Sequence, residues 1–481
     1  MQQGRHTLPP FFPWEQKAQQ AANSLALITP SGDYTWSALT RLVDSYADAL
    51  RLQGLKANDV LTLVGKNSPE LLFLYLASLK LGVICAITMP QPHELLKKKL
   101  NTLYKPGQTA WLWLGCGAAL SNAEVNALAA QTVLIRLDDS ETLANSTPIA
   151  EGFDAKQLSS IVFTSGSTGE PKAVVHTSAQ HFASATGLLA HFSYTEQDTW
   201  LLSLPMYHVS GLAIIYRWLS AGACLKVGCG ELSQDIQQVT HASLVATQLK
   251  RLLESGKALT LTHVLLGGSH IPHSLSQQAA QLGIETWLGY GMTEAASTVT
   301  AKRVDTQNSA GYLLPNRQLK VEQKRIWIGG DTLASGYYRQ GIVIPFVDAM
   351  GWFDSKDLGE WLGDELRIIG RADNQFISGG ENIHCEEIEA VLNRHPDIEQ
   401  AMVVAVKDAE FGCRAIAVVR GNLPLNQQEI ELWLTGKLDK FKWPVAYFLM
   451  PEALTDSGIK VSRSALKAWL SNHQPQYRIA D

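Results

Sequence analysis

The sequence predicts an α/β protein: a large N-terminal domain of several layered α/β subdomains, followed by a small α+β domain. The chain has 481 residues, which is too many for one compact core. Helical periods alternate with short β-rich runs along most of the chain, and repeated βα alternation is typical of layered sheets with largely parallel strands. After Arg371 the pattern changes. These observations predict two domains, residues 1–372 and 373–481.

Hydrophobic periodicity places the elements of the first domain in order. The predicted helices cover residues 37–52, 71–81, 178–191, 210–220 and 274–282. The predicted strands cover residues 60–64, 83–87, 160–164, 263–266 and 326–328. Ser68 and Pro69, in front of the second helix, are typical of an N-cap followed by proline at the first helical position. From about Lys320 onward the pattern favours strands and turns.

The segment after Arg371 combines helices and strands in a different order. The predicted helices cover residues 386–394 and 427–438, and the predicted strands cover residues 401–406 and 415–419. This segment is long enough to form a small α+β domain of its own. We place the boundary near Asp373.

Composition and charge make several classes of function improbable. The formal net charge of −5 gives no reason to expect a nucleic-acid partner or an anionic membrane. The six cysteines are scattered without a CxxC or zinc spacing, which fits a reducing compartment. The first residues lack the pattern of a signal peptide, and residues 8–13 indicate a docked extended arm. Lys80 and Gly82 interrupt the most membrane-like stretch. We expect a cytoplasmic protein without an integral membrane segment, whose oligomeric state the sequence does not indicate.

One segment predicts a phosphate-binding loop: Thr164-Ser165-Gly166-Ser167-Thr168-Gly169-Glu170-Pro171-Lys172. Its hydroxyl groups, glycines and lysine offer many donors along one short stretch, and glycine allows the backbone to approach an anion closely. It is not a Walker loop, because Glu170 and Pro171 separate the last glycine from the lysine. Strand-like residues on both sides indicate the tip of a hairpin. The alternative, an ordinary Ser/Gly-rich turn, needs only two to five residues.

Five further segments follow this loop in a fixed order. They are Tyr290-Gly291-Met292-Thr293-Glu294, Trp352-Phe353-Asp354-Ser355-Lys356-Asp357, Gly370-Arg371-Ala372-Asp373, Gly379-Gly380-Glu381-Asn382-Ile383 and Lys460-Val461-Ser462-Arg463. With the loop, they resemble the signature motifs of the adenylate-forming superfamily of acyl-CoA synthetases, adenylation domains and luciferases. The resemblance implies an ATP-dependent acid–CoA ligase that uses Mg²⁺ and coenzyme A.

The resemblance also implies the groups that hold the nucleotide. They are Thr164, Ser165, Gly166, Ser167, Thr168, Gly169, Lys172, Tyr290, Gly291, Met292, Thr293, Asp357 and Arg371. Thr293 would donate to the α-phosphate, Glu294 would hold the Mg²⁺ ion, and Asp357 would accept the ribose hydroxyls. The alternatives are a helix start for Thr293-Glu294, a solvated turn for Asp357 and a surface salt bridge for Arg371. The family usually has Thr-Gly-Asp where this chain has Ser355-Lys356-Asp357, which puts the local loop shape in question.

The C-terminal segments imply a mobile domain that carries the catalytic lysine. Lys460 would be the cation of the first half-reaction, although Ile459 stands where the family usually has glycine. Asp373 would be the hinge, and Gly379 and Gly380 would line a tunnel for the pantetheine arm of coenzyme A. The alternatives are an exposed C-terminal lysine and a plain glycine turn.

The acid is the least determined part. By resemblance His208 lines the acyl and pantetheine channel; a lone histidine is otherwise more often structural. No aspartate stands in this region to hold an amino group, which argues against amino acids. The resemblance is strongest to ligases of o-succinylbenzoate in menaquinone biosynthesis. A second carboxylate demands donors or a cation in the pocket. Our candidates are Ser243 and Thr298, beside Gly289, although both hydroxyls could equally satisfy their own backbone.

Two other functions stay open at this point. One is a CoA ligase for another aryl or short carboxylic acid, which a panel of acids in a pyrophosphate-release assay would distinguish. The other is a nucleotide-binding protein without ligase activity. Lys460, Glu294 and Asp357 are all present, which counts against the last.

Overall fold

The computed structural model describes residues 11–118, 120–130, 132–137, 152–165, 171–267, 271–421, 427–455, 461 and 463–480. Residues 166–170 of the predicted phosphate loop and Lys460 lie outside these ranges. So do residues 8–10 of the predicted arm.

Helices and strands are numbered in chain order. The helices are α1 Pro13–Gln20, α2 Trp36–Leu52, α3 Pro69–Leu81, α4 His93–Leu103, α5 Asn122–Ala129, α6 Ser178–Leu189, α7 Val209–Ala221, α8 Leu232–Asp235, α9 Ala246–Glu254, α10 His273–Gln281, α11 Cys385–Leu392, α12 Gln427–Leu434, α13 Glu452–Thr455 and α14 Arg463–His473. The strands are β1 Leu25–Thr29, β2 Gly32–Thr35, β3 Val60–Val64, β4 Ile84–Thr88, β5 Ala110–Leu114, β6 Thr132–Leu134, β7 Leu158–Ser165, β8 Pro171–Thr177, β9 Thr199–Leu201, β10 Cys224–Lys226, β11 His241–Leu244, β12 His263–Leu266, β13 Glu285–Met292, β14 Ser297–Arg303, β15 Tyr312–Leu313, β16 Arg317–Glu322, β17 Arg325–Gly330, β18 Gly336–Arg339, β19 Ile342–Ile344, β20 Phe353–Leu362, β21 Glu365–Arg371, β22 Gln375–Ser378, β23 Glu381–His384, β24 Ile398–Asp408, β25 Gly412–Gly421 and β26 Ala446–Leu449.

Helix ends follow local side-chain chemistry. The Ser68 hydroxyl accepts a hydrogen bond from the Leu71 amide at 3.2 Å, with Pro69 at the first helical position of α3. Gly82 ends α3 with a φ of 66°, in the left-handed region that glycine adopts without penalty. The predicted helix 71–81 is therefore confirmed and begins two residues earlier.

Two large sheets form the first part of the molecule. Sheet I has the strand order β16-β17-β20-β21-β15-β14-β13-β12-β11-β9-β10-β1-β2, and sheet II the order β19-β18-β8-β7-β4-β3-β5-β6. Strands β9 to β13 run parallel within sheet I, and β3 to β7 run parallel within sheet II. From β14 onward the pairs of sheet I are antiparallel. The predicted layered α/β architecture is confirmed. The stretch of strands and turns that was predicted from about Lys320 begins earlier, at β13, because α10 ends at Gln281.

The largest hydrophobic cluster takes residues from both sheets and from helices α2, α3, α6 and α7. Such sharing packs the sheets into successive layers with helices between them. In open parallel sheets, ligands bind beyond the carboxyl ends of the strands. In this chain those ends lead into residues 166–170, the loop before α7 and the segment after β13.

The segment after Arg371 folds around its own sheet. Sheet III has the order β23-β22-β25-β24, with β26 beside β25, and its two hydrophobic clusters contain no residue before Phe376. A 3₁₀ turn, Ala372–Asn374, stands between β21 and β22. No helix in the described part of the chain is both long and apolar enough to cross a bilayer.

One sequence prediction near the N-terminus was incomplete. Residues 8–13 were predicted to form an extended arm, but helix α1 begins at Pro13. Phe12 and Trp14 are buried and their rings stack at 5.0 Å between centroids. Proline suits the first turn of a helix as well as an extended arm, so the proline-rich pattern did not separate the two.

Candidate active site

The two strands that flank the predicted phosphate loop form a β-hairpin, as predicted. Strands β7 and β8 are antiparallel neighbours, with Thr164 opposite Lys172 and Ser165 opposite Pro171. The central strand residues Ile161 and Val162 are buried, so the hairpin is anchored in the core. The loop therefore leaves sheet II at the carboxyl end of β7, where parallel sheets bind ligands.

Lys172 and Glu294 meet at one tyrosine. The Lys172 ammonium lies 5.4 Å from the centre of the Tyr337 ring, and the Tyr337 hydroxyl donates to the Glu294 carboxylate at 3.2 Å. Burial and the Glu294 charge raise the pKa of Tyr337 above its usual value, so the phenol stays a donor. The predicted phosphate cation and the predicted metal ligand are thus brought together.

Glu294 could be a ligand of Mg²⁺, but further ligands would be needed to complete the coordination shell. Within the described residues no group of three His, Cys, Asp or Glu side chains could hold a metal ion. Mg²⁺ usually binds through one or two carboxylates and completes its shell with waters and substrate phosphates. A single carboxylate beside the predicted phosphate loop is consistent with this mode of Mg²⁺ binding. It is not consistent with a site in which the protein supplies all the ligands.

Thr293 is fixed by a histidine that the sequence analysis did not identify. His176 is fully buried on β8, and its Nε2 donates to the Thr293 carbonyl at 2.8 Å. Burial lowers the pKa of His176 to about 4, so the ring is neutral, and the carbonyl partner assigns its proton to Nε2. The Ala334 amide holds the Glu294 carbonyl at 2.8 Å. The 3₁₀ turn Thr293–Ala295 is therefore braced from two sides.

Asp357 lies in a network of hydrogen bonds and not in a solvated turn. Its carboxylate accepts from the Tyr290 hydroxyl at 2.6 Å and from Arg371 at 3.1 Å. The side chain is nearly buried. The predicted nucleotide residues Tyr290, Asp357 and Arg371 are thus in direct contact.

The departure from Thr-Gly-Asp leaves this loop intact. Lys356 has a φ of 60°, in the left-handed region that glycine favours and lysine adopts at some cost. The Ser355 hydroxyl donates to the Ile326 carbonyl at 2.7 Å and accepts from the Asp357 amide at 3.0 Å. Ser355 therefore supplies a hydroxyl where the family usually has threonine, and Lys356 adopts a backbone conformation that glycine favours.

Arg371 also forms hydrogen bonds with Asp373, the predicted hinge residue. Its guanidinium donates to both Asp373 oxygens, at 2.8 and 2.9 Å, as well as to Asp357. These hydrogen bonds to Arg371 hold the pKa of Asp373 below its usual value. Asp373 lies in the 3₁₀ turn between sheets I and III. One guanidinium thus joins the predicted ribose carboxylate to the predicted hinge.

His208 stands at the start of α7 and caps no backbone amide with its side chain. Burial, and then the charge of Lys99, lower its pKa, which favours a neutral ring. The loop in front of it is held by Asn67, whose amide donates to the Leu202 and Leu204 carbonyls at 3.0 and 2.9 Å. The Asn67 side-chain oxygen also accepts from the Met206 amide at 2.9 Å. The side chain of Asn67, beyond the end of β3, therefore sets the path of the His208 loop.

The other three candidate acyl-pocket residues stand on sheet I: Ser243 on β11, Gly289 on β13 and Thr298 on β14, with β12 between β11 and β13. Ser243 pairs with Leu265 across β11 and β12. A side chain on Gly289 would meet the Thr298 methyl group at 3.0 Å and Leu265 at 3.8 Å. The Ser243 hydroxyl is buried without a hydrogen-bond partner in the described part of the chain. An unsatisfied buried hydroxyl is costly in a folded protein, and a polar ligand group would satisfy it.

Arg217 is a buried residue in contact with the candidate site that the sequence analysis did not identify. It is only 2% exposed in the middle of α7. Its Nη2 donates to the Thr298 hydroxyl at 3.3 Å, and its guanidinium lies 5.4 Å from the centre of the Trp200 ring. Its Nε has no partner among the described residues, and burial lowers its pKa to about 9. The signal was a single arginine between Tyr216 and Trp218, in a helix that is otherwise apolar around it.

The Gly379-Gly380 pair forms a tight turn between β22 and β23. Both residues have positive φ, 58° and 89°, as two-residue hairpins require. The Gly379 amide donates to the Phe411 carbonyl at 2.9 Å. The structure therefore gives the glycines a local reason, and their contribution to a pantetheine tunnel stays a prediction.

The chain is similar to known proteins along most of its length. The family described as "AMP-binding enzyme" matches residues 14–338, and "AMP-binding enzyme C-terminal domain" matches residues 387–458. A 2-succinylbenzoate–CoA ligase of Salmonella typhimurium is 40% identical over 461 residues, covering 95% of this chain and 98% of that protein. The protein of the same name from Escherichia coli K12 is 38% identical over 467 residues, covering 96% and 99%.

A solved structure is similar over the whole chain. It is a variant of E. coli MenE with bound OSB-AMS, which superimposes with a TM-score of 0.86 at 37% identity. The match covers 98% of this chain and all of that one. The fold is therefore shared over nearly all of this chain.

Proposed function

This chain belongs to the AMP-binding enzyme family, and from that premise we propose that it is an ATP-dependent acid–CoA ligase acting on 2-succinylbenzoate in menaquinone biosynthesis. In the first step the acid's carboxylate attacks the α-phosphate of ATP, and pyrophosphate leaves. In the second step the sulfur of coenzyme A attacks the acyl carbon of the adenylate, AMP leaves, and the thiol proton passes to solvent. ATP, Mg²⁺ and coenzyme A are the partners of the reaction.

The nucleotide end of the site would bind ATP through both its phosphates and its ribose. The loop residues 164–169 and Lys172 would hold the phosphates, and Thr293 would donate to the α-phosphate. Charge develops there as the carboxylate attacks, so preorganised donors stabilise the transition state. Bound Mg²⁺ would be held by Glu294 and would neutralise phosphate charge. Asp357 would accept the ribose hydroxyls, which fits a carboxylate already oriented by Tyr290 and Arg371.

The acid end carries the observation that decides the substrate class. Arg217 is a buried cation that forms no ion pair with any described carboxylate, and its contacts are a threonine hydroxyl and a tryptophan ring. An uncompensated buried charge is costly. A carboxylate of the substrate would neutralise it, and Thr298 and Ser243 would supply neighbouring hydroxyls. Because the other carboxylate must react with ATP, the preferred acid has two.

The second step would require the C-terminal part of the chain to move. We place the boundary between residues 1–372 and 373–481 at the 3₁₀ turn that contains Asp373. Lys460 would serve the first step, and rotation at Asp373 would then bring Gly379 and Gly380 toward the pantetheine arm. His208 would line the channel that the acyl group and the thiol share.

A panel of acids tests the proposal. Purified protein would be given ATP, Mg²⁺ and one acid, and pyrophosphate release would be measured with acyl-AMP identified by mass spectrometry. We expect 2-succinylbenzoate to exceed benzoate and the methyl ester of its ring carboxylate by at least about tenfold in kcat/KM, because a site built for a polar group rejects the analogue without it. Activity with aryl acids but no preference for the diacid would replace the substrate, and no acyl-AMP with any acid would reject the ligase function.

A further inference from the structure

Thr298 stands between two buried arginines. Arg217 donates to its hydroxyl at 3.3 Å, and Arg317 donates from Nε to its carbonyl at 2.9 Å. Arg317 is 6% exposed. Burial, and then the charge of Arg217, lower the pKa of Arg317 to about 9. The residue proposed to read the acid is therefore held through its backbone as well as its side chain.

All three nitrogen atoms of the Arg317 guanidinium donate hydrogen bonds to neutral acceptors. Besides the Thr298 carbonyl, it donates to the Pro315 carbonyl at 2.6 Å and to both the carbonyl and the hydroxyl of Ser184 at 2.9 Å. A weaker bond reaches the Ala183 carbonyl at 3.4 Å. A planar fork of five N–H groups suits such a cluster, and a lysine ammonium does not. Arg317 thus ties β14 to helix α6 and to the loop before β16.

The segment it ties is strained. Ala296 and Ser297 have φ values of 49° and 92°, which side chains other than glycine rarely adopt. Ser184 donates to the Ala296 carbonyl, and Arg317 takes the Thr298 carbonyl two residues later. Strained backbone persists where surrounding contacts over-determine it, and it clusters at functional sites. Here the strained turn joins the nucleotide residues Thr293 and Glu294 to Thr298.

Helix α6 is built to admit Arg317. A Cβ atom on Gly187 would come within 1.9 Å of the Arg317 guanidinium and 2.4 Å of the Pro315 carbonyl. Glycine lowers helix propensity, so its presence within α6 has a reason in this close approach. Gly187 and Ser184 stand on the same helix face, three residues apart.

We propose that Arg317 is a positioning residue for acid recognition. It holds the Ala296–Thr298 turn against α6, and thereby aims the Thr298 hydroxyl and the Arg217 guanidinium at the second carboxylate of the acid. This inference rests on the proposed function. The proposed role requires the planar guanidinium of Arg317 and not only its positive charge. A substitution that keeps the charge but loses the planar group should therefore still impair binding of the diacid.

Three variants test the fork. Arg317→Lys keeps the charge and loses the fork, Gly187→Ala displaces Arg317 by steric conflict, and Ser184→Ala removes one hydroxyl of the cluster. The matched control is Gly228→Ala, because a Cβ there would also be crowded, at 2.1 Å from the Asp235 carboxyl group, without contact with Thr298. Each protein would be checked by thermal melting, and KM would be measured for 2-succinylbenzoate, benzoate and ATP.

We expect Arg317→Lys and Gly187→Ala to raise KM for 2-succinylbenzoate about tenfold or more. Ser184→Ala should raise it less, and KM for benzoate and ATP should change less than about twofold in all three. The control should leave the three KM values unchanged. If one variant does not fold, the other two carry the test.

Two outcomes would overturn the inference. One is an Arg317→Lys enzyme with the wild-type KM for the diacid. The other is an equal loss for the diacid, benzoate and ATP, which is the signature of a merely structural residue. Failure of the proposed function is recognised separately, because the wild type itself would then show no preference for the diacid.

Discussion

The two ends of the site manage charge in opposite ways. At the nucleotide end, Arg371 is shared by two carboxylates, Asp357 and Asp373, and Glu294 accepts from the Tyr337 hydroxyl. At the acid end, Arg217 and Arg317 are buried against hydroxyls, carbonyls and an aromatic ring. No carboxylate of the described residues pairs with either of these two arginines.

This difference separates shared chemistry from specificity. Every acid is activated by the same nucleotide. The charges at the nucleotide end can therefore be paired within the protein, and its residues can lie in short sequence motifs. The acid end keeps positive charge in a medium of low dielectric, where a pair of opposite charges interacts strongly. Under the proposed function, the substrate supplies the missing counter-charge. Variants at the nucleotide end should therefore damage all acids alike, and variants at the acid end should damage the diacid alone.

The largest effect is expected from Lys460→Ala. Loss of a cation that acts on the transition state should lower adenylate formation roughly 10²–10³-fold, equally for 2-succinylbenzoate and benzoate. Thioester formation from a supplied acyl-adenylate should be nearly unchanged, because the role proposed for the lysine is confined to the first step. Lys467→Ala, a nearby lysine on α14, is the control. Pyrophosphate release and single-turnover CoA transfer measure the two steps, and equal losses in both would contradict the assignment.

Arg217→Met should come next and should affect only the diacid. Truncating one partner of a buried charge pair typically costs 2–5 kcal/mol, so kcat/KM for 2-succinylbenzoate should fall on the order of a hundredfold. Benzoate, which has no second carboxylate, should lose little. Arg303→Met is the control, because Arg303 pairs with Glu285 and its side chain is 70% exposed. A comparable loss of kcat/KM for both acids would show that Arg217 does not distinguish the diacid, and would contradict the contrast between the two ends of the site.

Ser243→Ala and Thr298→Ala should have smaller effects of the same kind. Each removes one hydrogen bond to a charged group, worth roughly 1.5 kcal/mol at the low end, or about tenfold in KM for the diacid. Affinity for ATP should stay unchanged in both, as isothermal titration with the nucleotide would show. If benzoate and 2-succinylbenzoate respond equally, these hydroxyls do not read the second carboxylate.

The last prediction concerns stability below neutral pH, where no effect on acid selectivity is expected. The pKa of His176 is about 4 in the folded protein and about 6.5 when unfolded. Between these values the unfolded state binds more protons, so stability falls as pH falls. At pH 5 His176 alone should cost about 2 kcal/mol relative to pH 7. Urea unfolding at both pH values measures this, and His176→Gln, which can still donate to Thr293, should reduce the difference. An unchanged difference would mean that folding does not lower the pKa of His176.

Much of the fold could be predicted because local patterns and tertiary packing agree. The predicted strand 60–64 has the observed bounds, and the predicted strand 160–164 lies within β7. The predicted helix 427–438 ends early, at Leu434, because a glycine follows at position 436 with a φ of 72°. Helix ends depend on single residues, whereas helix existence depends on the whole period.

The site could be predicted only where it is contiguous in sequence. The phosphate hairpin, Asp357 and Glu294 stand in motifs, whereas His176, Arg217 and Arg317 act across 117, 81 and 19 residues on Thr293 and Thr298. Such partners have no spacing to recognise. Their signal is environmental: an arginine amid apolar residues of α7 needs a buried polar partner, and only the fold shows which one.

The position of Arg371 has a further consequence. Under the proposed roles, its guanidinium holds the carboxylate that binds ribose and the carboxylate at the hinge, so the two sites form linked equilibria. A hinge angle that lengthens the Arg371–Asp357 contact changes the free energy of ribose binding. By thermodynamic reciprocity, a bound nucleotide biases the hinge by the same factor. Replacement of ATP by the adenylate, and of the adenylate by AMP, would then act as successive effectors of the domain rotation. The ion pairs of Arg371 would then help to determine the order of the two half-reactions.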